Sequence, residues 1–279
     1  MAAKTETDYL AMARTRGTTP SRQKSFRKIF VYARNKKGKT KLGLSVGRDN
    51  IAIGDPELGT ALMLKEDPFI WPIEKWEDTQ DFYGACRTGK LSPNHFVQGE
   101  SSTPFTWASL DGLTKMHNMA LKYVMKVQEL KDLDRQPGLV QRQDYGKANE
   151  LMKQMIINFQ TLKMNVYYTA QEKMMAADGK HDYSEDDDED ATTQEAYFVP
   201  ALPDGIRGYM NSQAEVIGRL YVVAVDHPKI ADKKVKQRRL QIGLHDKYDT
   251  GFRSDWALPD VIKRPTLPNI VKLIEEGAT

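Results

Sequence analysis

Residues 28–40 of the chain read KIFVYARNKKGKT, and this stretch decides the fold. Its first six residues are mostly β-branched and aromatic, which predicts a buried strand over 28–33. A polar loop follows, and the apolar residues Leu42 and Leu44 predict that a helix begins at Lys39. Gly-Lys-Thr at the start of a helix that follows a strand is the Walker A pattern of phosphate-binding loops.

Each part of this loop has a physical role in holding a nucleoside triphosphate. Consecutive backbone N–H groups and the helix N-terminus surround the phosphates. Gly38 lets the backbone turn and approach closely, the ammonium group of Lys39 offsets the charge of the β- and γ-phosphates, and the hydroxyl group of Thr40 binds Mg²⁺. We therefore predict ATP and Mg²⁺ as cofactors, although an ordinary basic surface turn is the alternative interpretation. The predicted nucleotide-binding residues of the loop are Ala33, Arg34, Asn35, Lys36, Lys37, Gly38, Lys39, Thr40 and Lys41.

A second acidic element should follow another strand. The run Trp107–Leu110 predicts a strand, and Asp111 stands at its carboxyl end, the edge at which such sheets bind ligands. This is the Walker B pattern, although Ser109 interrupts the apolar run. We therefore predict that Asp111 and Thr40 hold magnesium. An aspartate after an apolar run is also typical of a turn or a helix cap.

Two further strand ends supply polar candidates. Glu57 follows the predicted strand 50–54, and a carboxylate there orients and deprotonates an attacking water molecule. Asp55 competes for that role, and a solvated loop acid is the other interpretation. The predicted strand 165–170 places Thr169 or Gln171 near the γ-phosphate as a sensor.

The alternation of strands and helices over residues 28–170 predicts an α/β fold with a mostly parallel central sheet flanked by helices. Residues 220–225 and 239–244 predict a C-terminal antiparallel hairpin, and 211–218 and 267–276 predict helices. We divide the chain into a flexible basic tail over 1–26 and a single domain over 27–279, with an acidic loop inserted at 178–196.

Composition excludes several classes of protein. With 40% apolar and 28% charged residues, the 279-residue chain has the composition of a globular protein. No stretch approaches the roughly 18 apolar residues of a membrane span, and the polar N-terminus is unlike a signal peptide. Cys86 is the one cysteine, so an internal disulfide is excluded and a reducing compartment, the cytoplasm, is expected.

The net charge of +3 hides a strong segregation of charge. Residues 1–48 hold 13 Lys and Arg against 2 Asp and Glu, and residues 229–264 hold 10 against 5, whereas residues 178–190 hold 8 acids and one lysine. Basic segments at both ends fit a polyanion such as nucleic acid. An ordinary solvated surface is the alternative interpretation.

Taken in order, the motifs resemble the RecA-like ATPases of bacteriophages, in particular the AAA-domain proteins of the Sak-type single-strand-annealing and recombinase group. The resemblance covers roughly residues 28–275. It is carried in sequence order by GKT, IAIGDPELGT, PIEKWED, SLDGLTKMHNMAL, QDYGKANELM, NVYYTAQEK, PALPDGIRGYM and RRLQIGLHDKYDTGFRSD.

This resemblance implies a RecA-like P-loop core that hydrolyses ATP and acts on single-stranded DNA in homologous recombination, strand annealing or replication, in the host cytoplasm. Lys39 and Glu57 match the catalytic lysine and glutamate, and Asp111 the Walker B acid. Gln171 matches the strand end that couples nucleotide state to DNA binding, so we add it to the nucleotide-binding residues. Arg253 matches a catalytic arginine that reaches a neighbouring subunit's ATP.

The implied partners are single-stranded DNA, further copies of the chain in a filament or ring, and a single-strand-binding protein, with no membrane partner. The acidic run would repel a phosphate backbone, so DNA contacts are expected elsewhere. The predicted DNA-binding residues are Arg135, Arg142, Lys147, Lys233, Lys234 and Lys236. The alternative function is a nucleotide-dependent assembly or protein-binding module without DNA-stimulated catalysis, whose acidic run docks a basic protein.

Overall fold

A computed structural model describes residues 6–19, 25–175, 196–230 and 233–277 of the chain. The acidic run at 178–190 therefore lies outside the described residues. The strands of the described part are Lys28–Ala33 (β1), Ile51–Asp55 (β2), Ile70–Pro72 (β3), Trp107–Asp111 (β4), Asn165–Met175 (β5), Tyr197–Pro200 (β6), Val216–Asp226 (β7), Lys234–Gln241 (β8), Gly251–Phe252 (β9) and Val261–Lys263 (β10). The helices are Glu6–Arg16 (α1), Lys39–Gly43 (α2), Asp78–Arg87 (α3), Leu113–Lys131 (α4), Arg142–Gln160 (α5), Asp204–Gln213 (α6) and Leu267–Glu276 (α7).

The sheet follows the order β10-β8-β7-β1-β5-β4-β2-β3. The pairings from β7 through to β3 are all parallel, whereas β8 and β10 add antiparallel strands at the other edge. All six residues of β1 are buried, as expected for a central parallel strand that is covered on both faces. The predicted α/β fold, with its parallel sheet and C-terminal antiparallel hairpin, is confirmed.

Helices cover both faces of the sheet. One face packs against α3, α4, α5 and α6 through residues such as Phe82, Met116, Met152 and Ile206. The other face packs against α2 and α7, where Leu42 and Ile270 are buried. An apolar layer on each face of the sheet therefore packs the strands in place, and these strands position the loops at their ends.

The prediction for the segment before β7 is wrong. Residues 211–218 were expected to be helical, but α6 ends at Gln213 and β7 begins at Val216. Val216 and Ile217 are buried beside β1, with which they pair in parallel. The burial of β-branched residues on a pleated surface outweighed the local helical pattern.

None of the helices in the described ranges is long and apolar enough to cross a membrane.

The amino end of β1 carries a buried lysine that predicts how stability depends on pH. The ammonium group of Lys28 donates hydrogen bonds to the carbonyl oxygens of Leu162 (3.3 Å) and Met164 (2.8 Å). Burial lowers the pKa of Lys28 from its ordinary 10.5 to about 8, although the charge of Glu215 opposes this shift. Between these two values the unfolded chain keeps a proton that the folded chain has lost, so stability rises with pH.

We therefore expect the free energy of unfolding to increase from about pH 8 to about pH 10.5, with a slope of at most about 1.4 kcal/mol per pH unit from this group. Urea denaturation at several pH values measures it. Lys28→Met should flatten the increase, whereas the exposed control Lys272→Met should retain it. An unchanged increase in Lys28→Met would assign it to other groups.

Candidate nucleotide-binding site

The parallel register brings the predicted site residues to one edge of the sheet. In β1 and β5, Ala33 pairs with Gln171, and in β4 and β5, Asp111 pairs with Thr169. Because the three strands are parallel, the carboxyl ends of β1 and β4 lie at the same edge beside Thr169 and Gln171, while β5 continues to Met175. The loop after β1 therefore lies close to the acid at the end of β4, as the two Walker patterns predict.

The loop itself needs glycine at position 38. Gly38 has φ of +94°, in the left-handed region, and its carbonyl oxygen accepts the first hydrogen bond of α2 from Leu42 N (3.0 Å). A Cβ atom at position 38 would lie only 2.5 Å from Nε of Arg238, which reaches the loop from β8. The backbone angle strains any residue with a Cβ atom at this position, and such a residue would also push the Arg238 side chain away.

Lys39 points back into the loop. Its ammonium group donates a hydrogen bond to the carbonyl oxygen of Ala33 (3.1 Å). Burial lowers the pKa of Lys39, while the charges of Asp111, Glu57 and Glu172 raise it. The ammonium charge thus lies among three carboxylates at the point where the loop closes.

Asp111 organises the opposite wall of the site. Thr40 Oγ1 donates a hydrogen bond to Asp111 Oδ2 (2.6 Å), and Thr169 Oγ1 donates one to Asp111 Oδ1 (2.7 Å). Burial raises the pKa of Asp111, and the two hydroxyl hydrogen bonds oppose that shift. Helix α2 and strands β4 and β5 are therefore connected through one partly buried carboxyl group.

This arrangement fits magnesium. A hydroxyl oxygen and a carboxylate oxygen are hard ligands of the kind Mg²⁺ prefers. Among the residues described, no group of three or more His, Cys, Asp or Glu could hold a metal by itself. That also fits, because Mg²⁺ usually relies on one or two carboxylates together with phosphate oxygens of the substrate.

The two acids after β2 have different environments. Asp55 is buried and accepts hydrogen bonds from the backbone N–H groups of Glu57 (2.8 Å) and Thr60 (3.0 Å) and from the Thr60 hydroxyl group, so it fixes the loop. Glu57 is exposed. Its Oε1 atom lies beside Gly112, 3.6 Å from the place that a Cβ atom would take if this residue carried one. Gln171 Nε2 donates a hydrogen bond to the same oxygen (3.1 Å). Of the two acids, Glu57 is the one that is free to act on a water molecule.

A buried acid that the sequence analysis did not single out fastens the phosphate loop. The side chain of Glu172 is only 2% exposed, and it bonds Arg34 Nε (3.1 Å) and Arg219 Nε (2.6 Å). The guanidinium group of Arg219 also lies over the ring of Tyr248, 4.2 Å from its centroid. Glu172 directly follows Gln171, at the edge of the sheet that carries the phosphate loop. This position was the signal in the sequence that could have indicated the role of Glu172.

Two predicted residues lie away from this site. Lys41 faces outwards and pairs with Glu66 (3.7 Å). Arg253 donates from its backbone N–H group to Glu215 O (2.7 Å), and Glu215 N donates to Lys28 O (2.9 Å). It therefore lies beside the amino end of β1, about 16 Å of strand away from the loop of its own chain. Its role toward a neighbouring subunit stays a prediction.

The predicted DNA-binding residues separate into two groups. Arg135 is a correction, because its side chain is only 2% exposed and its guanidinium group bonds Asp144, so it offers no surface charge to a phosphate backbone. Lys147 is exposed and donates to Gln128 Oε1 (2.7 Å). The remaining predicted residues, Arg142, Lys233, Lys234 and Lys236, are also exposed.

A parallel α/β sheet with a Gly-Lys-Thr loop at its edge and an aspartate bonded to the loop threonine defines a P-loop nucleotide-binding protein. The family described as AAA domain matches residues 25–254, and the chain belongs to that family. The family supports the coarser part of the prediction, a P-loop ATPase, and this class implies nucleotide and usually Mg²⁺. The RecA-like type stays a prediction.

No curated protein sequence matches the chain. Among solved structures, it is similar to the flagellar accessory protein FlaH from Methanocaldococcus jannaschii, with 10% sequence identity and a TM-score of 0.33. That similarity covers 85% of this chain and 84% of FlaH. The phage recombinase subgroup stays a prediction.

Proposed function

We propose that the chain hydrolyses ATP with Mg²⁺ and acts on single-stranded DNA in phage recombination, strand annealing or replication, in the cytoplasm of the host. The observation that carries the hydrolytic part is the hydrogen bonding of Asp111 by Thr40 and Thr169 beside the Lys39 loop. This arrangement presents a hydroxyl group, a carboxylate and an ammonium group where a triphosphate on the loop would lie.

Each residue has one role in this proposal. Lys39 leaves the Ala33 carbonyl oxygen and offsets the charge of the β- and γ-phosphates. Thr40 and Asp111 hold the magnesium ion, which when bound supplies positive charge to the phosphoryl oxygens. Glu57 accepts a proton from the attacking water molecule, and Gln171 orients that carboxylate through its hydrogen bond. The bond between the β- and γ-phosphates breaks, and ADP and inorganic phosphate are the products.

Exposed cations support the DNA part of the proposal. Lys233, Lys234 and Lys236 lie together at the start of β8, and Arg142 lies at the start of α5. Cations of this kind neutralise phosphates without reading sequence, so the expected binding is steeply weakened by salt.

The deciding test compares ATP hydrolysis by the wild type and Lys39→Ala, each with and without single-stranded DNA, at low and at physiological salt. We expect Lys39→Ala to lose at least about 100-fold in rate, because the loop loses the cation that offsets developing phosphate charge. We expect DNA to stimulate the wild type, and more strongly at low salt. The control Lys75→Ala, an exposed lysine after β3, should hydrolyse ATP at the wild-type rate.

Two results would contradict the proposal. Unchanged hydrolysis by Lys39→Ala would exclude the loop as the catalytic site. Wild-type hydrolysis that does not respond to DNA at either salt concentration would favour the second function, a nucleotide-dependent assembly or protein-binding module.

A further inference from the structure

A basic cleft lies on the side of the phosphate loop away from Asp111. The order of the sheet places β5 and β4 on one side of β1, and β7 and β8 on the other. The loop tip and β8 enclose a cleft of about 540 Å³. Five cations line it: Lys36 and Lys37 of the loop, Lys236 and Arg238 of β8, and Arg264, which follows β10. Its lining contains neither an acidic nor an aromatic residue.

The alternation of β8 produces this charge. Lys234, Lys236 and Arg238 are exposed, whereas the residues between them are partly covered. Successive side chains on one face of a strand are roughly 7 Å apart, so the three cations form an evenly spaced row. On β7 they pair with Asp226, Ala224 and Val222, and only the first of these is an acid. Lys236 and Arg238, the two members of the row that line the cleft, therefore have no acid opposite them on β7.

The five cations of the cleft also lack partners elsewhere in the described chain. None of their side chains forms an ion pair or a hydrogen bond with the residues that the structure describes. Arg34 and Arg219 on the same edge behave differently, because both bond Glu172. Like charges held close together repel, and an anion in the cleft relieves that repulsion. The cleft thus has the properties of an anion-binding site rather than of a solvated surface.

We propose that this cleft binds the sugar–phosphate backbone of a nucleic-acid single strand. The row of cations on β8 is linear and extends beyond the cleft to Lys234, so it suits a chain of phosphates rather than one isolated phosphate. The volume is in the range that holds one small-molecule ligand, so it admits the sugar and phosphate groups of an extended strand. Without an aromatic residue to stack on bases, binding is to phosphate and independent of sequence.

The cleft shares a residue contact with the ATPase site. The guanidinium group of Arg238 packs directly against Gly38 of the phosphate loop. Its Nε atom lies where a side chain at position 38 would begin. A strand that draws Arg238 toward its phosphates changes the packing on Gly38, the residue whose backbone shapes the loop. This gives a physical route by which a bound strand alters ATP hydrolysis. The inference rests on the proposed function, since it assigns a place to the DNA.

The test measures binding directly and not through ATP hydrolysis. Anisotropy of a fluorescent oligothymidylate, titrated with protein at several salt concentrations and without nucleotide, compares the wild type with the double variant Lys236→Glu/Arg238→Glu. The matched control is Lys75→Glu/Lys90→Glu. These two exposed lysines flank α3, whose Phe82 packs on Trp71 of β3 at the far edge of the sheet. Thermal melting checks that all three proteins are folded.

We expect the cleft variant to bind at least about tenfold more weakly at low salt, with a slope of log affinity against log salt that is shallower by at least about 1.4, or 0.7 per lost phosphate contact. The control should bind as the wild type does. Equal binding by the cleft variant and the wild type overturns the inference and leaves the proposed function standing. A wild type that binds no oligonucleotide at any salt overturns both.

Two competition arms separate other sources of negative charge. Polyglutamate that displaces the strand at equal charge concentration would indicate an acidic protein partner and overturn the inference. Complete displacement that continues as a non-hydrolysable ATP analogue is raised, as direct competition requires, would make the cleft the outer part of the nucleotide site, and that also overturns it. Retention of the strand in both arms supports the proposal.

Discussion

Replacement of Asp111 by asparagine should lower ATP hydrolysis at least about 100-fold and, at the same time, stabilise the fold. The loss of activity is expected because asparagine is a weaker ligand for Mg²⁺ than a carboxylate. The gain in stability is expected because Asp111 is a partly buried acid whose pKa is raised by desolvation. Asparagine has the same shape and still bonds the hydroxyl groups of Thr40 and Thr169, but it carries no charge to desolvate.

The sign of the stability change follows from linkage. A carboxyl group whose pKa is raised in the folded state loses its proton more easily in the unfolded chain. As the pH rises above 3.8, the ordinary pKa of an aspartate, this difference lowers the free energy of unfolding. We therefore expect the urea midpoint of Asp111→Asn to exceed that of the wild type at neutral pH, and the difference to shrink in acid. The exposed control Asp134→Asn should change neither activity nor midpoint. Wild-type hydrolysis by Asp111→Asn would remove Asp111 from the catalytic site.

Replacement of Arg135 by alanine should destabilise the protein and lower its urea midpoint, because it removes the counter-charge of a carboxylate that is covered from water. Asp144 is completely buried, and besides Arg135 it accepts a hydrogen bond from Gln141 N (2.8 Å) at the start of α5. Without the guanidinium group, a carboxylate remains in the interior with no counter-charge. Urea denaturation measures the loss directly, and Arg142→Ala, at an exposed position on the same helix, should change stability by less than about 0.5 kcal/mol.

A second variant separates the uncompensated charge from a general effect of truncation. Arg135→Met combined with Asp144→Asn removes both charges and keeps a side-chain oxygen that accepts from Gln141 N, so it should recover most of the stability that Arg135→Ala loses. If the double variant is as unstable as the single one, the loss belongs to packing and not to the buried ion pair. If Arg135→Ala leaves the urea midpoint unchanged, water reaches Asp144 and the ion pair is not closed.

Two kinds of residue in this site differ in how far local sequence could identify them. Lys39, Thr40 and Asp111 stand at strand ends, and parallel strands that end at one edge must bring their loops together. That argument needs only the order of strands and motifs, so the central site was predictable. Glu57 and Gln171 followed from the same reasoning, and the structure joins them by a hydrogen bond.

Residues outside that pattern needed the fold. The local sequence predicts that Arg135 is an exposed cation of a loop. Its partner Asp144 lies nine residues away, and the residues around Arg135 do not indicate that the pair is covered from water. Helix α6 and strand β7 were misplaced by a few residues, because contact with β1 decides between the two conformations for Val216. Glu172 and Arg219 come from strands that pair only through β1, so their ion pair has no local signal.

The sequence by itself determined the phosphate loop, the acid opposite it and the parallel sheet, because strand propensity and the Gly-Lys-Thr turn are local properties. Only the tertiary structure decided which cations are paired and which remain exposed. A charge's partner depends on the strands packed beside it, and this is why Arg135 became an interior residue and Arg238 part of a basic cleft against the loop.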